Sequence, residues 1–438
     1  MRMPELDLEK RRLLTVPPLP FAALRHRNFR LFIFGQFVSL IGTWMQSVAL
    51  GWLVLTLTNS AFAVGLVSAM GALPVLLFTL QGGAVADRVN RHRTLTLLQT
   101  AMLLEALVLA VVVLTGHATL LWIIVLALIS GLLSAFEIPI RQTFLMDLVG
   151  RDDLMNAIAF NSMSFNTSRV LGPALAGMIP ALVGPAACFL VNAASYLAVI
   201  VSLQRIRPDP ALLVPHRQPP PLKDALAYLL APGWPRTLVT LAAVYTIFGV
   251  SFLAVLPVYA RDVLNTGASG YGWLTSAFGV GAAGGALLLA AYGARFRRGE
   301  FAIRGGFAIG GVLLILGLLP SYPLAFIGLL IGGMASATSA IVTNTLLQTE
   351  APDQLRGRVI GFYSFIVVGL APFGSFQAGW LGQRVGVRVE AAVCGIICLG
   401  TALVLVSRVK RLTEPLQSEQ RQAGEPPPAY RWGERRQI

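Results

Sequence analysis

Between Arg30 and Asp87 the chain reads LFIFGQFVSLIGTWMQSVALGWLVLTLTNSAFAVGLVSAMGALPVLLFTLQGGAVA (residues 31–86), without one charged side chain. A helix needs about 20 apolar residues to cross the hydrocarbon core of a bilayer. The stretch is therefore long enough for two crossings, divided at Thr58-Asn59-Ser60. Outward from it the pattern repeats. Between Arg93 and Glu137 only Glu105 is charged, and Gly116-His117 divides the run into two spans. Between Asp153 and Arg205 only Arg169 is charged, and the segment Pro180 to Pro185 divides it. In the second half, Arg236 to Arg261 and Asp262 to Arg295 give one span each. Arg304 to Glu350 gives two, divided at Pro320-Ser321-Tyr322-Pro323. Arg358 to Arg384 and Glu390 to Arg408 give the last two. The pattern predicts an all-α membrane protein of twelve transmembrane helices in two six-helix halves.

Composition agrees. Of 438 residues 55% are hydrophobic and 12% charged, against roughly 25% charged in soluble domains. The net charge of +14 does not mark a nucleic-acid binder, because the charges form no single patch. They follow membrane topology instead. With the N-terminus inside, every one of the 34 Lys and Arg residues falls in an inner segment except four: Arg261, Arg384 and Arg388 in outer loops, and Arg169 inside a span. The basic, polar N-terminus does not have the form of a cleavable signal, so the first apolar run is read as a retained span.

The expected organisation is a cytoplasmic N-terminus (1–28), a first bundle (29–203), a cytoplasmic linker (204–236), a second bundle (237–407) and a cytoplasmic tail (408–438). The linker is proline-rich, with Leu222 to Leu230 as a short amphipathic helix. Thr143-Phe144-Leu145 resembles Thr345-Leu346-Leu347, and Phe160-Asn161-Ser162 resembles Phe362-Tyr363-Ser364, at the same separation along the chain. A parallel duplication puts a binding site between the halves, near the midplane.

The loop between spans two and three reads Gly83-Ala84-Val85-Ala86-Asp87-Arg88-Val89-Asn90-Arg91-His92-Arg93. It resembles the signature loop of the major facilitator superfamily, G-x-x-x-D-R-x-x-R-[K/R], with His92 in the last basic place. The corresponding loop Gly293 to Arg298 has Ala294 in the acidic place. Asn28-Phe29-Arg30, Gly42-Thr43-Trp44-Met45-Gln46, Pro139-Ile140-Arg141-Gln142, the run Asn166 to Gly177 and Leu347-Gln348-Thr349-Glu350-Ala351-Pro352 resemble the enterobactin-exporter-like subfamily, also called transmembrane secretion effectors. The resemblance covers roughly residues 22–408. It implies a conformational latch at Gly83, Asp87, Arg88 and Arg91, in which the aspartate caps a helix of the opposite half. Glu137 at the end of span four is expected to accept Arg88 or Arg91, with Arg141 in the same network. Gly172, Pro173 and Gly177 resemble an antiporter motif. They serve either as a hinge, since Gly and Pro weaken a helix, or as small residues for packing.

A charge inside a bilayer needs a reason. Glu105 and Arg169 lie at comparable depth and are expected to pair, either as a fixed ion pair or with Glu105 as a proton-coupling residue. Gln36, Trp44, Gln46, Asn161, Asn166, Asn344 and Gln377 are candidates for a substrate cavity; the polar ones serve equally as interhelical glue. Phe160, Phe252 and Phe365 are further candidates for an aromatic surface.

No enzyme, metal site or cofactor is expected. His26, His92, His117 and His216 lie in loops or termini, the three cysteines lie in apolar runs, and there is no phosphate-cradling Gly-x-x-x-x-Gly-Lys-Ser/Thr loop. The resemblance implies a monomeric secondary transporter in the bacterial inner membrane that exports a small molecule, such as a siderophore or drug-like compound, against protons. A nutrient importer or uniporter of the same fold, and a non-transporting receptor or scramblase, are the alternatives.

Overall fold

The computed structural model describes residues 21–150, 152–207, 222–230, 233–292, 298–352 and 355–422. Most of the expected N-terminal segment and linker, the loop Gly293 to Arg297 and the end of the tail lie outside the described residues. Twelve long helical segments follow one another: α1 Arg27–Thr58, α2 Ala61–Ala86, α3 Arg91–Leu114, α4 Leu120–Val149, α5 Leu154–Val183, α6 Ala186–Arg205, α7 Trp234–Val263, α8 Ala268–Tyr292, α9 Phe301–Leu318, α10 Tyr322–Glu350, α11 Arg358–Val385 and α12 Val387–Val406. Eleven are long and apolar enough to cross a membrane. The other, α5, is 30 residues long. Its first sixteen residues carry Asn156, Asn161, Ser162, Ser164, Asn166, Thr167, Ser168 and Arg169. The protein is a multi-pass membrane protein.

Local chemistry sets the helix ends. Ser60, Asn90 and Thr119 cap α2, α3 and α4 by accepting the backbone N–H groups of Ala63, Arg93 and Trp122, which otherwise have no partner at a helix start. The chain turns between helices through Asn59, Gly116, Gly184 and Gly386, all at positive φ. α7 contains two π-helical stretches, Tyr245–Val250 and Tyr259–Val263, on either side of Pro257. α11 is interrupted at Leu370, just before Pro372.

The two halves pack alike. α2 lies on α4, α3 on α4 and α6, and α1 on α6; in the same order, α8 lies on α10, α9 on α10 and α12, and α7 on α12. The fold is a duplicated six-helix unit, as the short sequence repeat implied. The short helix Leu222–Leu230 seats Leu229 among Val239, Leu347, Val359 and Tyr363. Leu97, Leu121 and Leu403 are among the large apolar side chains left exposed, as a lipid solvent requires.

The halves meet along two seams, α2 on α11 and α5 on α8. Both are built on glycine. A Cβ on Gly65 would sit 2.6 Å from the Cα of Gly379, and one on Gly272 would sit 2.6 Å from the Cα of Gly177. Small residues let helix backbones touch where no hydrophobic force drives association.

Candidate functional site

The seams are closed at one end and parted at the other. At the closed end Arg261 donates to Asn59 Oδ1 at 2.7 Å, and Ser60 Oγ donates to Gln383 Oε1 at 3.0 Å. Phe62 packs edge-on to Phe376. The α5–α8 contact runs through Gly177 and Gly272 to Ser276, whose hydroxyl donates to the Val170 carbonyl at 3.1 Å. It ends where Gly279 lies beneath the Arg169 carbonyl. Beyond that point the same helix faces are bare. Ser162, Ala159 and Met155 are exposed on α5, and Leu287 and Ala290 on α8. The α2–α11 seam behaves alike. It reaches Leu76 and Gly369, whereas a Cβ on Gly83, two turns further on, would meet nothing.

Arg169 stands where the α5–α8 seam parts. Its guanidinium carbon lies 4.9 Å from the centroid of the Phe278 ring on α8 and 5.7 Å from that of Trp44 on α1. Phe165 packs edge-on to Trp44 at 5.6 Å. The expected pairing with Glu105 is not made. Gln46 donates to both oxygens of Glu105, at 3.2 and 3.5 Å. Asn192 donates to Gln46 Oε1 at 2.7 Å, and Ser195 Oγ donates to Asn192 Oδ1 at 3.1 Å. This buried chain joins α1, α3 and α6 inside the first half, away from α5. Asn192 and Ser195 were missed in the sequence; an asparagine in the middle of span six was the available signal.

At the parted end the polar network also differs from expectation. Glu137 accepts Arg141 at 2.7 Å and Gln99 at 3.3 Å, not Arg88 or Arg91. Two residues on one helix, four apart, meet more readily than residues on different elements. Arg91 turns instead to Asp147 on α4, with its Nη1 at 2.7 and 2.9 Å from the two oxygens, and to the Ala86 carbonyl. Asp147 was missed. Asp87 is exposed just past the end of α2. Gly82, not Gly83, permits close packing here: a Cβ on it would strike the Ala135 carbonyl of α4.

A family model described as "transmembrane secretion effector" matches residues 19–435. The chain belongs to that family. Relatives of the chain include the staphyloferrin A transporter of Staphylococcus aureus (strain NCTC 8325 / PS 47), 25% identical over 87% of this chain and 97% of that one. The multidrug efflux pump Tap of Mycolicibacterium fortuitum is 26% identical over 87% and 96%. The enterobactin exporter EntS of Shigella flexneri is 27% identical over 87% and 92%. Among solved structures, the fold matches the nucleoside transporter NupG with a TM-score of 0.71 at 12% identity, covering 88% of this chain and 99% of that one. It also matches a bacterial homologue of the iron transporter ferroportin, with a TM-score of 0.69 at 15% identity, covering 88% and 99%. The fold is that of the major facilitator transporters.

The cavity candidates fall into two environments. Trp44 and Asn166 lie beside the parted seam; Asn166 donates to the Ser162 carbonyl of its own helix. Gln36 and Gln46 are buried in the first half, and Gln36 Oε1 has no hydrogen-bond partner among the described residues. Asn161 Oδ1 accepts Arg141 at 3.0 Å. Asn344 accepts Gln348 from the next turn. Gln377 lies against Cys394. Phe160 packs on Phe21 and Phe29, Phe252 is buried against Tyr259, and Phe365 is partly exposed beside Phe362. α5 is one continuous helix through Pro173. Gly172 serves packing: a Cβ there would meet the Trp44 side chain and the Ile41 carbonyl. The second half holds a buried carboxyl that sequence reasoning took only for the edge of a span. Glu390 is fully buried, with Cys394 Sγ donating to its Oε1 at 3.3 Å and Oε2 without a hydrogen-bond partner among the described residues.

Proposed function

We propose that the protein is a secondary active exporter of the bacterial inner membrane, carrying a small organic molecule outward by alternating access in exchange for protons. The observation that carries this reading is the one-ended closure of both seams: closed at Gly65–Gly379 and Gly177–Gly272, parted beyond Arg169 and Gly83. The positive-inside rule assigns the parted end, with the signature loop and both termini, to the cytoplasm. An exporter loads from that side. In the opposite state the halves rock as bundles 29–203 and 237–407. The glycine contacts break, and Asp87 caps a helix of the second half, because helix starts favour a carboxylate. Gly83, bare in this state, leaves room for that approach. The names of the relatives support a siderophore or drug-like cargo. Glu105 is the proton-carrying candidate in the first half.

The test is flux of a siderophore and antibiotic panel in proteoliposomes, with and without an imposed pH gradient. Cargo movement with proton counterflow supports the antiporter, and Glu105→Gln should then uncouple it. A uniporter is the second reading. It is favoured by the place of Glu105, held by Gln46 inside one half and away from the seam. Flux that ignores the pH gradient in both proteins would establish it. No flux of any panel member would count against transport of this cargo class.

A further inference from the structure

We propose that Arg169 is the recognition point for an anionic group on the cargo, and that the cargo is a flat organic anion, such as an aromatic carboxylate. This deepens the exporter reading, because it assumes that cargo enters the parted seam.

Among the described residues Arg169 is a cation without a counter-ion. The carboxylates that could reach into the spans are taken: Glu105 by Gln46, Glu137 by Arg141, and Glu390 by Cys394 in the other half. Among the described residues the Arg169 guanidinium makes only ring contacts, to Phe278 and Trp44. Each such contact is a weak attraction of the cation to the ring face. Taking an ion out of water costs more than such contacts return. The rings therefore offset part of the cost, and the edge of the guanidinium keeps its N–H donors for something else. Arginine stays charged and presents a planar fork that matches a carboxylate.

Position makes that partner a ligand. Below Gly279 the facing surfaces of α5 and α8 are exposed, so an anion can reach Arg169 from the parted end. Trp44 and Phe165 give the approach an aromatic wall on the first half, and Phe278 adds a ring from the second. A flat ring stacks against such walls while its carboxylate takes the fork. A cationic compound meets the same walls with an uncompensated positive charge behind them. The site thus discriminates by charge. It also touches both halves, so an anion that draws the guanidinium off Phe278 loosens a contact between them.

The experiment uses the full chain in nanodiscs, with naphthoate, naphthamide and naphthylmethylammonium as probes, read by calorimetry. The wild type is expected to bind naphthoate at least about tenfold more tightly than the neutral amide, and the ammonium weakest. Arg169→Met should abolish the preference, and Arg169→Lys should retain part of it, since charge survives but the fork does not. Thermal melting checks folding, and Arg169→Met should melt no lower than the wild type because a half-buried cation with no counter-ion among the described residues is removed. The proposal is overturned if the wild type does not prefer naphthoate, or if Arg169→Met binds all three probes as the wild type does. Should Arg169→Met fail to fold, an undiminished preference in Arg169→Lys overturns it equally. Flux separates the two readings. Arg169-dependent naphthoate binding without transport would leave the anion site standing and remove the exporter. Panel transport unaffected by Arg169→Met would do the reverse.

Discussion

Arg141 and Glu137 form a contact whose cost and benefit can be weighed. Their side chains are about a tenth exposed, so removing one partner leaves the other charged and poorly solvated. Breaking such a pair costs about 3–5 kcal/mol, far more than the pair itself contributes. Arg141→Met should therefore lower the denaturation midpoint of the purified protein strongly. Arg141→Met combined with Glu137→Gln should recover most of the loss. If the single variant melted with the wild type, the pair would have no structural weight. Glu390 presents the opposite case. Its carboxyl is buried, one oxygen has no hydrogen-bond partner among the described residues, and its one donor is a thiol, a weak one. An unsatisfied buried polar group costs roughly 1–3 kcal/mol. Glu390→Gln or Glu390→Leu should then stabilise the fold, by about 1 kcal/mol or more, in a melting assay. A clear loss of stability would show that the carboxyl has a partner role in another conformation. If stability rises but transport falls, Glu390 is a functional carboxyl retained at a structural cost.

Among the elements, the seam helices set how closely the two halves approach. α2 and α11 touch through Gly65, Ser375 and Gly379, with no room for a side chain. Gly272 on α8 is equally confined by Gly177 and Pro173 of α5. Gly272→Val should hold the closed end apart and favour the opposite state. Labelling of a cysteine placed at Ser276, which is buried in the closed seam, by a membrane-impermeant maleimide applied from the outside should rise several-fold over the same cysteine in an otherwise wild-type chain. Unchanged labelling would mean that the seam tolerates the branched side chain and the glycine is not needed. The helices themselves were legible in the sequence, because crossing a bilayer demands long uncharged runs and the few charges mark the ends. The seams were not. Gly65 and Gly379 lie far apart in the chain, and no local pattern says which glycine faces which. The same limit explains Glu105. Its depth was readable from its distance into α3, but the choice between Gln46 and Arg169 depends on how α1, α3 and α5 are rotated. Hydropathy counts residues and is blind to rotation. Glu390 was passed over because a charge near a span's end reads as an interface residue, whereas α12 turns it inward.

At the scale of the whole molecule, two parallel halves meet along two glycine seams, and in the proposed cycle the states differ in which end of each seam is closed. The closed end is held by few polar contacts: Ser60 and the Phe62 amide on Gln383, and Arg261 on Asn59. These are partly exposed hydrogen bonds of modest strength, each on the order of 0.5–1.5 kcal/mol net. They can bias the equilibrium by a few kcal/mol, which is the range over which a ligand shifts two states. A covalent tie across the same place should therefore dominate. With Ser60→Cys and Gln383→Cys together, a short bifunctional thiol reagent is expected to cross-link the halves, because the two native side chains are within hydrogen-bond distance. The three native cysteines are buried and should compete little. If alternation of the seams is the transport cycle, the cross-linked protein still binds naphthoate from the parted side but moves no cargo, and a reducible linker restores flux on reduction. Transport that survived complete cross-linking would mean that cargo does not pass between the halves, and it would remove alternating access and the seam as its pathway together.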